Sequence, residues 1–338
     1  MGYACPGRSD VEGSSDLGRL ATVKVIEHLA NATRPLVSVE IIPPRRGRNV
    51  ERIYDAVESL MPYEPPFIDI TSHAAETVWD ETPDGTWKRR VTRKAPGTFG
   101  LCATIKHRFG IDPVPHVLCN GFTREETEDA LIELHYLGIE NVLAIRGDGE
   151  RRDPPDHRSV NANALELVGQ IAAMNRGEYL EDLEEATPTD FCLGVACYPE
   201  KHEEAPNLER DIAFLEEKQR AGAEYAVTQL FYDNEAYFSF VKAARNQGVT
   251  IPIVPGLKLL TRRSHLTSIP RAFNVSVPEA LVAEVSAVPD ERIADVGIEW
   301  ALRQTLQLFE RGVPSAHFYV MQDTGPLVAL LELLRRDL

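Results

Sequence analysis

Cysteine is scarce in this sequence. The 338 residues include five cysteines, an odd number, and none of them belongs to a Cys-x-x-Cys pair. Disulfide frameworks usually need an even set, and structural zinc sites usually need closely spaced pairs. We therefore predict neither a disulfide scaffold nor a metal site. Reduced thiols are typical of the cytoplasm, so we expect a cytoplasmic protein.

Long apolar runs and a surplus of basic residues are also missing. No uncharged apolar stretch approaches the roughly 18 residues that a membrane-spanning helix needs, and the first residues lack the basic-then-apolar order of a signal peptide. Asp and Glu outnumber Lys and Arg by 52 to 36, which gives a formal net charge of −16. A nucleic acid would favour a basic face. We therefore expect neither a membrane nor a nucleic acid among the partners.

The familiar catalytic motifs are absent as well. The sequence contains no Gly-x-Ser-x-Gly, no His-Glu-x-x-His, no P-loop and no Gly-x-Gly-x-x-Gly. Those motifs would indicate a nucleophilic serine, a zinc protease, a phosphate-binding loop or a Rossmann dinucleotide site. Polar groups without a recognisable nucleophile suit an enzyme whose difficult chemistry is carried by a bound organic cofactor.

What the sequence does contain is a regular alternation of apolar strands and amphipathic helices. Eight short apolar segments bounded by turn formers are typical of strands buried on both faces of a parallel sheet. They are residues 37–42, 67–73, 114–119, 142–145, 191–198, 225–232, 251–257 and 316–320. Eight strands alternating with helices in one chain of this length predict a (β/α)8 TIM barrel of the α/β class.

We predict one domain preceded by an extension. Residues 1–33 form the extension, which is expected to be disordered over its first 16 residues and helical over residues 16–30, with apolar positions at steps of three. That helix could lie across one end of the barrel formed by residues 34–338. The charged segment 76–93 shows no clean period and is predicted to be a long loop at the functional end.

Polar residues interrupt or follow the predicted strands. Glu40 lies inside an apolar strand, where a carboxylate must be paired or protonated unless this is an edge strand that faces water. Arg146 and Asp148 follow the fourth strand, either as part of a ligand site or as a solvated turn, and His116 is either a rim residue or an ordinary core histidine. A barrel would bring these groups to one rim, because strand carboxyl ends converge there. The rim set is Glu40, Thr71, His116, Arg146, Asp148, Tyr198, Gln229 and Tyr319.

Six segments, in order and with matching spacing, resemble the motifs of the methylenetetrahydrofolate reductase family. They are VEIIPP (39–44), PHVLC (115–119), AIRGD (144–148), YPEKH (198–202), TQLFYD (228–233) and HFY (317–319). The resemblance implies a (β/α)8 barrel that binds FAD non-covalently and takes a hydride from NADH or NADPH. It also implies that 5,10-methylenetetrahydrofolate receives the hydride to give 5-methyltetrahydrofolate, with both substrates using the same flavin face in turn.

The resemblance also implies roles for four residues. Glu40 is similar to the family's general acid, which protonates the folate so that its five-membered ring opens, and an apolar strand would give this carboxyl the raised pKa that the role needs. Asp148 resembles the aspartate near the flavin and the pterin. Gln229 resembles the glutamine that positions folate and nicotinamide by turns, and Tyr319 stands where the family has a substrate-contacting tyrosine.

A larger set falls on positions that resemble the family's flavin-binding residues. Asp211 and Lys218, seven residues apart, would otherwise be read as a solvated pair on one side of a helix. The implied set is Thr71, His116, Arg146, Gly147, Asp148, Ala162, Ala196, Tyr198, His202, Asp211 and Lys218.

Three residues depart from the family pattern. His265 and Asp323 stand where some bacterial relatives carry glutamine and arginine near the substrate, and Lys258 stands where many relatives are apolar. The preference between NADH and NADPH and the oligomeric state stay open, with a homo-oligomer among the expected states. Two other functions also stay open: a pterin-dependent methyltransferase barrel without flavin, and a non-catalytic barrel that binds flavin or folate.

Overall fold

The computed structural model describes residues 22–73, 77–91, 97–147, 159–321 and 323–337. Its strands are β1 Leu36–Ile41, β2 Phe67–Ile70, β3 Thr77–Glu81, β4 Trp87–Val91, β5 Asp112–Leu118, β6 Asn141–Ile145, β7 Cys192–Cys197, β8 Tyr225–Thr228, β9 Ile253–Val254, β10 Gly256–Leu257 and β11 Ser315–Met321. Its α-helices are α1 Val25–Ala30, α2 Glu51–Leu60, α3 Thr98–Thr104, α4 Arg124–Tyr136, α5 Ala164–Met174, α6 Leu208–Ala221, α7 Asn234–Asn246, α8 His265–Phe273, α9 Glu279–Ser286, α10 Ile293–Glu310 and α11 Gly325–Asp337.

Nine of these strands form a nearly closed parallel barrel surrounded by helices, which confirms the predicted (β/α)8 architecture. Their order is β10-β11-β1-β2-β5-β6-β7-β8-β9. The predicted seventh strand is split into β9 and β10 at Pro255, whose missing N–H interrupts a hydrogen-bond ladder. The Pro255 carbonyl still accepts a hydrogen bond from the His317 N–H at 2.9 Å, so both halves belong to the closing seam between β8 and β11.

Helix α1 covers the amino-terminal end of the barrel, as the sequence suggested. Its first N–H, that of Val25, donates to Asn141 Oδ1 at 2.9 Å, and Asn141 Nδ2 donates to the Val23 carbonyl at 3.1 Å. His28 Nε2 lies 2.9 Å from Asp112 Oδ2 at the start of β5. Apolar side chains of α1 pack on the interior residues of that end, so the barrel is sealed there. Of the predicted helix over 16–30, residues 25–30 are helical, residues 22–24 are not, and residues 16–21 lie outside the described residues.

Two tyrosine rings fill the barrel interior at places where a neighbouring strand has glycine. A Cβ on Gly194 would lie 2.3 Å from Cζ of Tyr225, and a Cβ on Gly256 would lie 2.6 Å from Cε2 of Tyr319. Contacts this short are impossible for real atoms, so each ring needs a glycine opposite it. The barrel interior is therefore packed with side chains at these levels and is not an open channel.

The segment that we predicted as a long loop is a β-hairpin, so that prediction was wrong. Strands β3 and β4 pair antiparallel, and their connection is a tight turn in which the Thr82 N–H donates to the Thr86 carbonyl at 2.8 Å. Gly85 supplies the left-handed conformation of the turn, with φ of +79°. The sequence Thr-Pro-Asp-Gly-Thr favours a tight turn, and it determines the hairpin even though the flanking residues show no clear alternation of apolar and polar side chains.

Two helices on the carboxyl side of β10, α8 and α9, have no counterpart in the predicted elements. They precede the long helix α10, where Gly297 packs against the backbone of Leu260 so closely that a Cβ would lie 1.8 Å from its carbonyl oxygen. Among the helices described, none is both long enough and apolar enough to cross a membrane.

Candidate functional site

The carboxyl ends of β1, β2, β5 and β11 bring four polar side chains together inside the upper barrel. Glu40 on β1 stands in register with Asp69 on β2 and with Tyr319 on β11. His116 on β5 completes the group, with its Nε2 3.5 Å from Glu40 Oε2 and 3.4 Å from Asp69 Oδ2. Strand β1 is flanked on both sides, so Glu40 is not on an edge strand facing water, and its side chain is 14% exposed.

Tyr319 and Lys258 lie beside Glu40 at the opening of the barrel on the carboxyl side of its strands, which we call the mouth. Tyr319 donates its hydroxyl hydrogen to the Thr228 carbonyl at 2.6 Å, and Lys258 Nζ donates to the Tyr319 carbonyl at 3.2 Å. Burial raises the pKa of Tyr319 well above its ordinary value, and the negative charges of Glu40 and Asp69 raise it further. The phenol therefore stays protonated and keeps its hydrogen bond. Gln229 follows Thr228, and its Oε1 accepts from the Leu230 N–H at 2.9 Å.

Asp69 is a buried carboxyl group that the sequence analysis missed. It is 1% exposed, and neither of its oxygens accepts a hydrogen bond from the described residues. Burial raises its pKa from 3.8 to about 7, although the nearby His317 lowers it in part. An ionised carboxylate without hydrogen bonds is costly to bury, so the proton is retained to near neutral pH. The sequence signal that could have found it was a single aspartate in the otherwise apolar strand Phe-Ile-Asp-Ile.

A second buried pair, Ser38 and His317, lies two residues before Glu40 and Tyr319 on the same strands. Ser38 Oγ and His317 Nδ1 lie 2.9 Å apart, and their strands β1 and β11 are in register at these residues. Burial lowers the pKa of His317, Asp69 raises it, and His116 lowers it. The imidazole is thus held neutral near pH 7, with its Nδ1 fixed by the serine.

A cavity of about 460 Å³ lies beside the mouth, between the carboxyl ends of β6 and β7 and the helices α5 and α6. Six of its lining residues are alanines. Seven residues of the flavin-binding set line it together: Arg146, Ala162, Ala196, Tyr198, His202, Asp211 and Lys218. The structure therefore places Asp211 and Lys218 on a cavity wall, and not on an open helix face.

Hydrogen bonds fix the charged part of this wall. Lys218 is buried and its Nζ donates to the Ala196 carbonyl at 2.6 Å, while burial lowers its pKa. The His202 N–H donates to Asp211 Oδ2 at 2.7 Å, and the His202 and Tyr198 rings meet edge to face at 4.6 Å. Arg146 is paired with Glu204 at the cavity entrance. The wall thus carries the basic groups of Lys218, His202 and Arg146 together with three acidic side chains, Glu204, Asp211 and Glu217.

The sequence of this barrel matches a known protein family. The family model described as Methylenetetrahydrofolate reductase matches residues 25–334, which includes the whole barrel. The chain belongs to the methylenetetrahydrofolate reductase family.

Named relatives agree with this assignment. Methylenetetrahydrofolate reductase 2 of Saccharomyces cerevisiae is 26% identical over 318 residues, covering 91% of this chain and 48% of the yeast protein. The 5,10-methylenetetrahydrofolate reductase of Pectobacterium carotovorum is 27% identical over 287 residues, covering 84% of this chain and 85% of that protein. The chain thus spans about half the length of the yeast relative and most of the bacterial one.

A solved structure shares the fold. An uncharacterised protein from Clostridium thermocellum, described as binding two copies of 5-methyl-5,6,7,8-tetrahydrofolic acid, superposes with a TM-score of 0.55. It is 12% identical in sequence, and the match covers 93% of this chain and 99% of that one. At this identity the likeness shows the barrel fold alone.

Three other positions of the predicted flavin-binding set, Thr71, His116 and Gly147, are not among the residues that line the cavity. Thr71 follows β2, where its N–H donates to the Ile41 carbonyl at 3.1 Å and its Oγ1 lies 3.2 Å from His73 Nε2. Gly147 has a φ of +87°, and a Cβ added to it would lie 3.5 Å from the Leu118 methyl carbons. Asp148, the aspartate expected near the flavin, lies outside the described residues.

The residues that depart from the family pattern have local roles. His265 Nδ1 accepts from the Thr261 N–H at 3.2 Å, and Asp323 Oδ1 accepts from the Gly325 N–H at 3.2 Å, at the start of α11. Lys258 instead lies at the mouth, and burial lowers its pKa while Glu40 raises it. Within the described ranges, no group of three or more His, Cys, Asp or Glu is arranged to hold a metal ion.

Proposed function

We propose that this protein reduces 5,10-methylenetetrahydrofolate to 5-methyltetrahydrofolate with NADH or NADPH, using bound FAD. The observation that carries the proposal is the position of Glu40 at the barrel mouth, next to a cavity lined by seven residues at flavin-binding motif positions. Family membership supports the reaction, and relatives named as NADPH and NADH forms, from Caenorhabditis elegans and Arabidopsis thaliana, support a nicotinamide co-substrate.

The cavity wall fits the chemical character of FAD. Lys218 is fixed by its hydrogen bond to Ala196, and Arg146 and His202 lie on the same wall, which suits a diphosphate. The alanines leave room for a flat ring and a thin sugar chain. When bound, FAD would supply the hydride relay between the two substrates. Asp148 belongs to this proposal through its motif position.

The residues at the mouth would bind and protonate the folate. Glu40 would donate its carboxyl proton to a ring nitrogen of the folate, which opens the five-membered ring to an electrophilic iminium. Gln229 and Tyr319 would orient first the nicotinamide and then the pterin in the same space. Lys258 is close enough to Glu40 for the Glu40 carboxylate to raise the pKa of its ammonium group. Its positive charge would keep the anionic groups of the substrate near the mouth.

The first prediction concerns the cofactor. The protein loaded with FAD is expected to be yellow, to lose its flavin absorbance when NADH or NADPH is added without oxygen, and to regain it when 5,10-methylenetetrahydrofolate follows. An absorbance spectrum at each stage tests this, and a steady-state comparison of the two nicotinamides identifies the preferred one. A protein that stays colourless after incubation with FAD would contradict the proposal. Methyl transfer from 5-methyltetrahydrofolate without a reductant would favour the methyltransferase alternative.

The second prediction concerns Lys218. Lys218→Met keeps the length of the side chain but removes the buried charge, so FAD affinity is expected to fall about 10- to 100-fold, the equivalent of one charge-assisted hydrogen bond. Fluorescence quenching of free flavin measures the dissociation constant. Lys242→Met, on the exposed part of α7, is the matched control and should bind FAD like the unmodified protein. Equal affinities for the two variants would remove Lys218 from the cofactor site.

A further inference from the structure

Asp69 lies beside the proposed general acid on the adjacent strand, and the Nε2 atom of His116 is close to both carboxyl groups. Glu40 and Asp69 are register partners on adjacent strands, and both face the interior of the barrel. His116 Nε2 contacts a carboxyl oxygen of each, at 3.5 Å and 3.4 Å. Glu40 reaches the mouth with 14% of its side chain exposed, whereas Asp69 is 1% exposed. His116 therefore contacts both the buried Asp69 and the partly exposed Glu40.

Most of the titratable side chains that surround the two carboxyl groups hold a fixed protonation state. Five of them, from four different elements, face Asp69: His116 on β5, His317 and Tyr319 on β11, Tyr225 on β8 and Cys102 on α3. Glu40 is faced by His116, Tyr319 and Lys258. Burial holds the phenols and the thiol in their neutral, protonated forms, and it holds His317 neutral. Asp69, Glu40 and His116 are the remaining titratable groups of this cluster.

We propose that Asp69 is a positioning residue for Glu40, and that the two carboxyl groups share one proton across His116 Nε2. This inference rests on the proposed function, because it gives Asp69 the role of keeping Glu40, the proposed general acid for the folate, protonated. Two carboxylates on either side of one imidazole nitrogen repel each other in a buried site, so ionising both is costly. One proton and one negative charge is the stable combination. A negative charge on Asp69 keeps the proton on Glu40.

The transfer between the two carboxyl groups is balanced. The Asp69 O–H gives its proton to the Nε2 lone pair of His116, and the resulting Nε2–H gives a proton to the Glu40 carboxylate. One O–H bond breaks and one forms, the imidazole returns to its starting state, and no other reactant is needed. Burial raises the pKa of Asp69 to about 7, so this proton is available under neutral conditions.

The test in the folate half-reaction is Asp69→Asn, which keeps the size of the side chain but removes its negative charge. Glu40 should then lose its proton at lower pH, and the basic limb of the rate profile should move down by about one pH unit. The rate should fall about tenfold at pH 8 and change little at pH 6. Asp112→Asn is the matched control, since Asp112 is also a buried aspartate but lies beside His28 at the opposite end of the barrel; its profile should match that of the unmodified protein.

A second measurement needs neither cofactor nor substrate, so it separates this inference from the proposed function. Infrared spectra of the protein alone should show the carbonyl band of a protonated buried carboxyl, lost as pH rises through neutrality. Asp69→Asn should remove that band, and Glu40→Gln should move its loss to lower pH, because the neighbouring negative charge is gone. A rate reduced equally at every pH, or an Asp69 band that titrates identically with and without Glu40, would overturn the inference.

Discussion

Glu40→Gln is expected to slow reduction of 5,10-methylenetetrahydrofolate about 1000-fold, a typical contribution of a general acid. Glutamine keeps the size and the hydrogen-bonding reach of the side chain, but it has no acidic proton to give to the folate. Oxidation of the nicotinamide needs no such proton, so that half-reaction should keep its rate. Anaerobic stopped-flow absorbance measures the two half-reactions separately.

A matched variant shows whether the effect belongs to this carboxyl group. Glu299 is exposed on α10, so Glu299→Gln removes a carboxylate of the same size away from the barrel mouth and should leave both half-reactions unchanged. If Glu40→Gln slowed both half-reactions by the same factor, its role would be structural. Turnover unchanged by Glu40→Gln would favour the non-catalytic binding barrel.

The second large effect concerns stability. Asp69 has a pKa of about 7 in the folded protein, compared with 3.8 for the free side chain. The folded state therefore holds this proton after the unfolded chain has released it. Its stabilisation is complete below about pH 4 and is lost as pH rises through about 7. At about 1.4 kcal/mol for each pH unit, the contribution amounts to about 4 kcal/mol.

Asp69→Asn should remove this pH dependence. Relative to the unmodified protein, the variant is expected to gain stability from about pH 4 to about pH 7 and to level off above that, as measured by urea unfolding at several pH values up to pH 8. The difference between the two proteins is the quantity to follow, because burial lowers the pKa of His317 and makes that residue act in the opposite direction. A difference that is constant across this range would mean that Asp69 is ionised in both states.

A variant that is more stable and yet slower at pH 8 would also show what the buried acid is for. A buried carboxyl group that accepts no hydrogen bond from the described residues destabilises the fold when it is ionised, and such destabilising groups are retained where they serve a site. The same side chain would then account for both results.

The barrel could be predicted because its signals are local. Apolar runs of strand length, alternating with capped helices, indicated the architecture, and the capping box of Thr123 and Glu126 is present at the start of α4. The strand ends were less accurate: β8 ends at Thr228, four residues before the predicted end. The residues beyond it are as apolar as the strand, and they pack against loops and helices instead of a neighbouring strand.

The site was predictable in outline but not in depth. Polar residues at strand ends indicated the rim, and motif resemblance supplied the cavity residues that the structure brings together. Asp69 was missed because, in a strand buried on both faces, the sequence does not show which face points into the barrel. Its closeness to Glu40 depends on strand register, a tertiary property. The binding roles of the individual residues, and the oligomeric state, stay predictions.

The break at Pro255 means that the site can lose its structure under milder conditions than the barrel as a whole. Ala226 and Val227 pair with β9, and His317 and Phe318 pair with β10, so each half of the closing seam has a short ladder to lose. Local opening costs least where few backbone bonds must break. Strand β11 is also paired with β1 over six residues, but the hydrogen bond from the Tyr319 hydroxyl to the Thr228 carbonyl spans this seam. We therefore expect mild denaturant to disturb the mouth while the rest of the barrel is still native. Activity would thus be lost before the chain unfolds.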